Sequence, residues 1–359
     1  MKHVNEFTKL NSIGKGEFAE VFTSYNDSRD ILSAKIFYKG LDQFSSEFIE
    51  KLTDDIDKYI EIDYPTILPT FGYCLADFYQ EPRLVIFSEY ITNGSLENFL
   101  HNDTKSLNAT EKLINIFGIA TGMRHLHSLD ILHKNLKPSN ILETTKNWPK
   151  ISDFENIFTS QIKTENVQNP IYTAPEIWQK KEYTKFADVY SFAMLTYEIM
   201  TNKKPFENMS LFDILTGIVQ GNRPQFPSNF PQSYRDLIEK CWSQNPNNRP
   251  SFDQIVDMMK NDEKFITEIN AKKKKFQNFI YFLENYSQVS KKVYINIAKY
   301  DKKQSPTIIE KDILFGRAMA DGKRLILDGE REKIDQKRTK IKNERELIEK
   351  ERSTLEKEI

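Results

Sequence analysis

The chain has 359 residues, 51 Lys and Arg against 52 Asp and Glu, and a formal net charge of −1. That balance excludes a general nucleic-acid-binding or membrane-coating surface. Its hydrophobic fraction of 39%, with 25 Phe and 16 Tyr, is enough for a large core, and the length leaves room for two or three compact units. The two cysteines, Cys74 and Cys241, lie far apart and form neither a disulfide framework nor a metal cluster, which fits a reducing compartment. The first residues carry no apolar signal segment, and no apolar run approaches the roughly 20 residues that span a bilayer. The expectation is a soluble, cytoplasmic protein without a transmembrane segment.

Residues 7–40 alternate like strands and turns, with Gly14 and Gly16 in a turn between β-type segments. Glycines let a backbone approach a phosphate closely. By themselves, though, these two make a plain hairpin turn. A second strand-like run carries Ser33-Ala34-Lys35-Ile36. Over 43–62, Phe44, Phe48, Leu52, Ile56, Tyr59 and Ile60 recur at spacings of three or four, the signature of one helix face. Leu84 to Phe87 is an apolar strand that stops at Ser88-Glu89-Tyr90, and Asn93-Gly94-Ser95 reads as a turn opening a helix.

From Leu113 to Leu129 the apolar spacing is again helical. It delivers the chain into a short polar loop between apolar clamps, His133-Lys134-Asn135-Leu136-Lys137-Pro138-Ser139-Asn140, followed by Lys150-Ile151-Ser152-Asp153-Phe154-Glu155. Further on, Pro170-Ile-Tyr-Thr-Ala-Pro-Glu176 precedes a helix that opens at Asp188 and stays almost wholly apolar through Met200. Such a helix must be buried all round. Cys241-Trp242 and Pro246-Asn-Asn-Arg249-Pro250 close this part of the chain.

In family order and spacing over roughly residues 7–262, these segments resemble a eukaryotic protein kinase domain. The loop at His133 resembles H-R-D-L-K-x-x-N, Asp153-Phe154-Glu155 resembles D-F-G, and Ala174-Pro175-Glu176 resembles A-P-E. The resemblance implies an α+β, two-lobed kinase fold, with a β-rich N-lobe at 7–88 and a helical C-lobe at 92–262. It implies ATP and Mg²⁺ as cofactors. ATP would meet Gly14, Gly16, Val21, Ala34, Lys35, Ser88 (the gatekeeper position) and the hinge from Glu89 to Ile91. Mg²⁺ would sit on Asn140 and Asp153, hard oxygen ligands of the kind that ion needs, with Lys137 balancing γ-phosphate charge. Counting back from Tyr64-Pro65-Thr66-Ile67, which resembles H-P-N-I, Asp55 falls where the family carries the glutamate that pairs with Lys35. The same spacing also fits a solvated acidic helix face. His133 would pack under Phe154, Asp188 would open the central C-lobe helix, and Arg249 would pair with Glu176, all as structural residues. The Leu136–Asn140 run and Cys241-Trp242 lean towards the tyrosine-kinase-like group.

The departures decide the functional expectation. Asn135 stands where the family has its catalytic aspartate; its carbonyl accepts a hydrogen bond but is no useful base, a loss worth about 10²–10⁴-fold. Glu155 replaces the D-F-G glycine, Asn169 replaces a threonine, Ala19 replaces the third loop glycine, and Lys134 lacks an arginine's bidentate fork. The expectation is an ATP-binding pseudokinase acting as scaffold or allosteric partner, with a slow Ser/Thr or Tyr kinase as the alternative.

After residue 262 the pattern changes. Phe265, Ile266, Ile269, Phe276, Phe279, Ile280 and Leu283 predict one or two amphipathic helices in a helical extension over 263–306. Residues 307–359 are dominated by charge, with Leu327, Ile334, Ile341, Ile348 and Leu355 recurring every seven residues. The second seam holds Glu330, Lys337, Glu344, Glu351 and Glu358, so a coiled coil has only half its apolar seam. The pattern leaves two alternatives open, a lone charged helix and weak dimerisation through it.

Overall fold

The computed structural model describes residues 7–25, 31–102, 106–153 and 170–297. Two units divide the chain: His3–Tyr286, which holds the elements packed below, and Met1–Lys2 with Ser287–Ile359. The expected charged helix over 307–359 and its heptad lie outside the described residues.

The first lobe is built on strands β1 (Thr8–Lys15), β2 (Ala19–Tyr25) and β3 (Ile31–Gly40), followed by helix α1 (Ser46–Ile60) and strands β4 (Thr70–Cys74) and β5 (Arg83–Glu89). They form one antiparallel sheet in the order β1-β2-β3-β5-β4. Ser45 caps α1, its hydroxyl accepting from Phe48 N at 3.2 Å. The predicted three- and four-residue spacing turns Leu52 and Ile56 onto the sheet, where they are buried with Phe37, Leu84 and Ile86. Full burial of each such side chain contributes about 1.5–3 kcal/mol.

The second lobe begins with α2 (Leu96–Leu100) and α3 (Ala109–Ser128), then the two-stranded hairpin β6 (Ile141–Glu143) and β7 (Pro149–Ile151). The start of α3 is set by a capping box in which Asn108 and Glu111 satisfy each other's backbone amides. After α4 (Pro175–Trp178), α5 (Lys185–Thr201) runs through the centre, buried continuously from Ala187 to Ile199. It stops at Asn202, which adopts the left-handed conformation, φ 53°, that asparagine tolerates at a helix end. Helices α6 (Leu211–Gln220), α7 (Gln232–Cys241) and α8 (Phe252–Asn261) surround it, and α9 (Lys264–Thr267) and α10 (Lys273–Ile297) follow within the expected extension, whose residues 298–306 lie outside the described ones.

One buried ion pair ties the segment after residue 170 to this lobe. Arg249 grips Glu176 with both guanidinium arms, at 2.6 and 2.9 Å, while its remaining donors meet Ser243 O and Phe186 O. Both side chains are nearly sealed from solvent. Removing either partner would strand a buried charge, at a cost of about 3–5 kcal/mol.

Candidate active site

The site is organised by strand ends and by a loop that the central helix holds from below. On β3, Lys35 lies across from Val21 on β2 and Ile86 on β5, so the sheet register fixes where its stem leaves the strand. The β1–β2 turn closes through Gly16 N to Ala19 O at 2.9 Å, and Gly14 pairs with Val21. A Cβ added at Gly14 would meet nothing within 4 Å, so this glycine leaves open space. Ala34 is fully buried opposite Phe87. At the end of β5, Ser88 Oγ lies 2.8 Å from Ser33 Oγ. Glu89 N donates to Pro69 O at 3.1 Å, which fixes the start of the hinge, and Ile91 is half-buried beyond it.

The polar loop hangs from Asp188. That carboxylate, buried on α5, accepts from His133 N and Lys134 N at 2.9 Å each, from Tyr183 Oη at 2.7 Å, and bonds His127 Nε2 at 2.9 Å. Burial pushes its pKa up, but His127, His133 and Tyr183 outweigh that and hold it below the ordinary carboxylate value. The loop turns at Lys134, whose φ is +63°. Asn135 N then donates to His133 Nδ1 at 3.2 Å, which sets the start of the 135–140 segment. His133 is fully buried, and burial lowers its pKa.

Asn140 links the loop to the end of β7. Its side-chain amide donates to Asn135 O at 2.7 Å, and its own carbonyl accepts from Ser152 N and Ser152 Oγ at 2.9 and 3.0 Å. With Nδ2 committed, Asn140 Oδ1 is the free end of that amide among the described residues. Asp153 follows with φ +58°, and Lys35 Nζ meets its Oδ1 at 2.5 Å. Burial would raise the Asp153 carboxyl, but the Lys35 ammonium, with His133 and Lys137, wins and lowers it. Lys137 is half-buried, and desolvation lowers its pKa against the pull of Asp153 and Glu97. Two hard oxygen donors, on Asn140 and Asp153, therefore stand beside two lysines, a donor set that fits a magnesium nucleotide.

The expected Lys35–Asp55 pair does not form. Asp55 bonds Lys58 at 2.9 Å, one turn along α1, and is 37% exposed. Leu52 and Ile56 claim the face of α1 that meets the sheet, and the short aspartate beside them finds a cation on its own helix first. The expected packing of Phe154 on His133, together with Glu155 and Asn169, lies outside the described residues.

Among the described residues, three buried carboxyls escaped the sequence reading: Asp77, Glu198 and Glu143. Glu198, on α5, bonds His101 at 2.6 Å and Tyr172, so it pins the end of α2 and the segment before α4. Burial raises its pKa, partly offset by those two bonds. Glu143, on β6, is sealed from solvent and pushed up to about 8 by burial. Strand alternation with buried Ile141 was a signal that could have placed it inside.

Fold and site together define a protein kinase domain. A model of the family described as protein tyrosine and serine/threonine kinase matches residues 7–259, and the chain belongs to that family. It is 31% identical over 301 residues to the dual specificity protein kinase pyk3 of Dictyostelium discoideum, covering 83% of this chain and 21% of that protein. To the probable serine/threonine-protein kinase drkC of the same organism it is 33% identical over 262 residues, 70% of this chain and 34% of that protein. The putative serine/threonine-protein kinase/receptor R831 of Acanthamoeba polyphaga mimivirus is 30% identical over 254 residues, 69% of this chain and 15% of that protein. The chain thus spans between 15% and 34% of the length of these relatives. No helix among the described residues is long and apolar enough to cross a membrane.

Proposed function

We propose that this kinase domain binds Mg-ATP in the cleft between Lys35, Lys137, Asn140 and Asp153 and works chiefly as a pseudokinase, a nucleotide-responsive scaffold or allosteric partner in signalling. The observation that carries it is Asn135. The backbone bonds to His133 and Asn140 hold it in a kinase-type loop, yet its side chain cannot take a proton. Bound magnesium would neutralise phosphate charge and orient the triphosphate. Around it, Asp153 and Asn140 would supply oxygens, Lys35 would leave Asp153 for the α- and β-phosphates, and Lys137 would face the γ-phosphate. Gly14, Gly16, Val21 and Ala34 would cover the nucleotide, and the backbone of Glu89 to Ile91, behind Ser88, would hold the adenine edge.

A second reading is a slow kinase acting on Ser, Thr or Tyr of proteins. It is supported by the names of the relatives, and by a phosphoryl-transfer chemistry that relies mainly on positioning and electrostatics. Membership of the tyrosine-kinase-like group, a cytoplasmic location and weak self-association through the heptads of the tail complete the proposal. One experiment separates the two readings: Mg-ATP binding measured beside γ-phosphate transfer to a generic protein substrate. Binding without transfer supports the pseudokinase, transfer at ordinary kinase rates overturns it, and no binding removes both.

A further inference from the structure

From Lys273 to Tyr286 the extension helix α10 lies alongside α3, and it is fastened at its start and again at Tyr286. At its start, Lys272 N donates to Thr110 Oγ1 at 2.8 Å, in the first turn of α3. Midway, Phe276 meets Phe117 edge-on at 5.0 Å between ring centres, and Phe279 packs on Trp148 at 5.0 Å. Both phenylalanines are buried. Gly118 makes this close approach feasible, because a Cβ there would come within 3.1 Å of the Phe279 ring. Seven residues beyond Phe279, Tyr286 Oη donates to Asp63 Oδ1 at 2.8 Å. From Lys273 to Tyr286 the helix advances about 20 Å, at roughly 1.5 Å per residue, so it reaches from the beginning of α3 to the turn that follows α1.

That turn is bonded to the end of β7, which leads into the candidate metal ligand Asp153. Next to Asp63, Tyr64 stacks on His125 of α3 at 4.5 Å. Two residues further, Thr66 O accepts from Ile151 N at 2.8 Å, and Leu68 N donates to Ile151 O at 2.8 Å. Ile67 pairs with Ile151 as an isolated parallel bridge. Ile151 is the last residue of β7, and only Ser152 separates it from Asp153.

Resting on the Mg-ATP reading above, we infer that Tyr286 is a positioning residue for the cleft: through Asp63 and the 63–68 turn it holds the end of β7, and with it Asp153, in register for the metal. The contact comes from the helical extension, which carries none of the kinase motifs. It makes the geometry of the cleft depend on α10 staying docked. Phe276 and Phe279 supply the docking, and the Tyr286 hydroxyl supplies the register.

The test uses the full chain and separates positioning from simple stitching of a helix. Nucleotide affinity is measured by calorimetry for Mg-ATP and for ATP in excess EDTA, in wild type, Tyr286→Phe, Asp63→Ala and Asp63→Asn. Amide exchange at Leu68 and Ile151 is followed without nucleotide. Positioning predicts that Tyr286→Phe and Asp63→Ala weaken Mg-ATP binding by about threefold to tenfold, the range of one hydrogen bond, with magnesium-free ATP changed by less than about twofold. Asp63→Asn keeps an acceptor oxygen and should stay near wild type. Exchange at Leu68 and Ile151 should quicken in the two weakened variants. Equal weakening with and without magnesium, or unchanged exchange at those amides, overturns the inference. A wild type that binds no Mg-ATP removes the functional reading, and the exchange measurement then decides the register role by itself.

Discussion

Lys35 Nζ sits 2.5 Å from Asp153 Oδ1, so the β3 lysine spans the cleft to the strand end instead of pairing along α1 with Asp55. This bond joins the two lobes through their charged groups. Lys35→Met is expected to abolish most of the rise in melting temperature that Mg-ATP produces by mass action. The same substitution has a signature without nucleotide. Because Asp153 is held below its ordinary carboxylate value, its contribution is present above the unfolded pKa and lost as pH falls through the folded one. Lys35→Met should therefore flatten the acid limb of the stability curve, read as melting temperature between pH 6 and 3. An acid limb identical to wild type would show that the pair contributes nothing.

Asn135→Asp restores a base with almost no change in side-chain size. The backbone bonds at Asn135 N and O do not involve the side chain, so the loop should accept the change. Phosphoryl transfer should rise, by less than the full ~10²–10⁴-fold that a positioned base contributes, because Glu155 and Asn169 are still in place. Asn135→Asp with Glu155→Gly and Asn169→Thr should exceed the single change non-additively. Autophosphorylation of the three proteins measures it, and a wild type as fast as the triple variant removes the pseudokinase reading.

Glu143 and Asn115 form a second pH-sensitive pair. Asn115 Nδ2 lies 3.5 Å from Glu143 Oε2, while Glu143 Oε1 and Asn115 Oδ1 are buried with no hydrogen-bond partner among the described residues. A proton on Glu143 provides the missing donor, and burial raises its pKa to about 8 in the folded protein. Between the unfolded and folded values the native state holds the extra proton, so stability should fall as pH rises through that window and level off above it. Glu143→Gln keeps a donor at every pH and should remove this slope, with a gain of about 1–3 kcal/mol on the alkaline side. Melting temperatures of both proteins from pH 5 to 9 test it; parallel curves would mean Glu143 does not titrate in this window.

Gly118 is where α3 admits both β7 and α10. A Cβ there would come within 2.6 Å of Pro149 Cγ and 3.1 Å of Phe279 Cζ. Gly118→Ala gains helix propensity worth about 1 kcal/mol, but overpacking typically costs about 1–3 kcal/mol, and two rings must give way at once. A net loss of about 1–2 kcal/mol in urea unfolding is expected. A stabilised variant would show that α10 yields easily.

The identity of the fold was legible before any tertiary contact was known. Leu52 and Ile56 declared the buried face of α1 by spacing, and the apolar run after Asp188 declared a helix enclosed on all sides. The loop from His133 to Asn140 and the Asp153 that follows also carry their own spacing, since residues a few positions apart must share one loop or strand end. The choice of charged partners was not legible in this way. The partner expected for Lys35 was Asp55, 20 residues on, and the partner found is Asp153, 118 residues away along the chain. Only the packing of α1 against the sheet, which sends Asp55 to Lys58, decided between them. Glu143 became a buried core residue, and Tyr286 an anchor on Asp63, for the same reason: burial and long-range ion or hydrogen-bond partners are set by where separate elements come to rest. Local periodicity does not encode that.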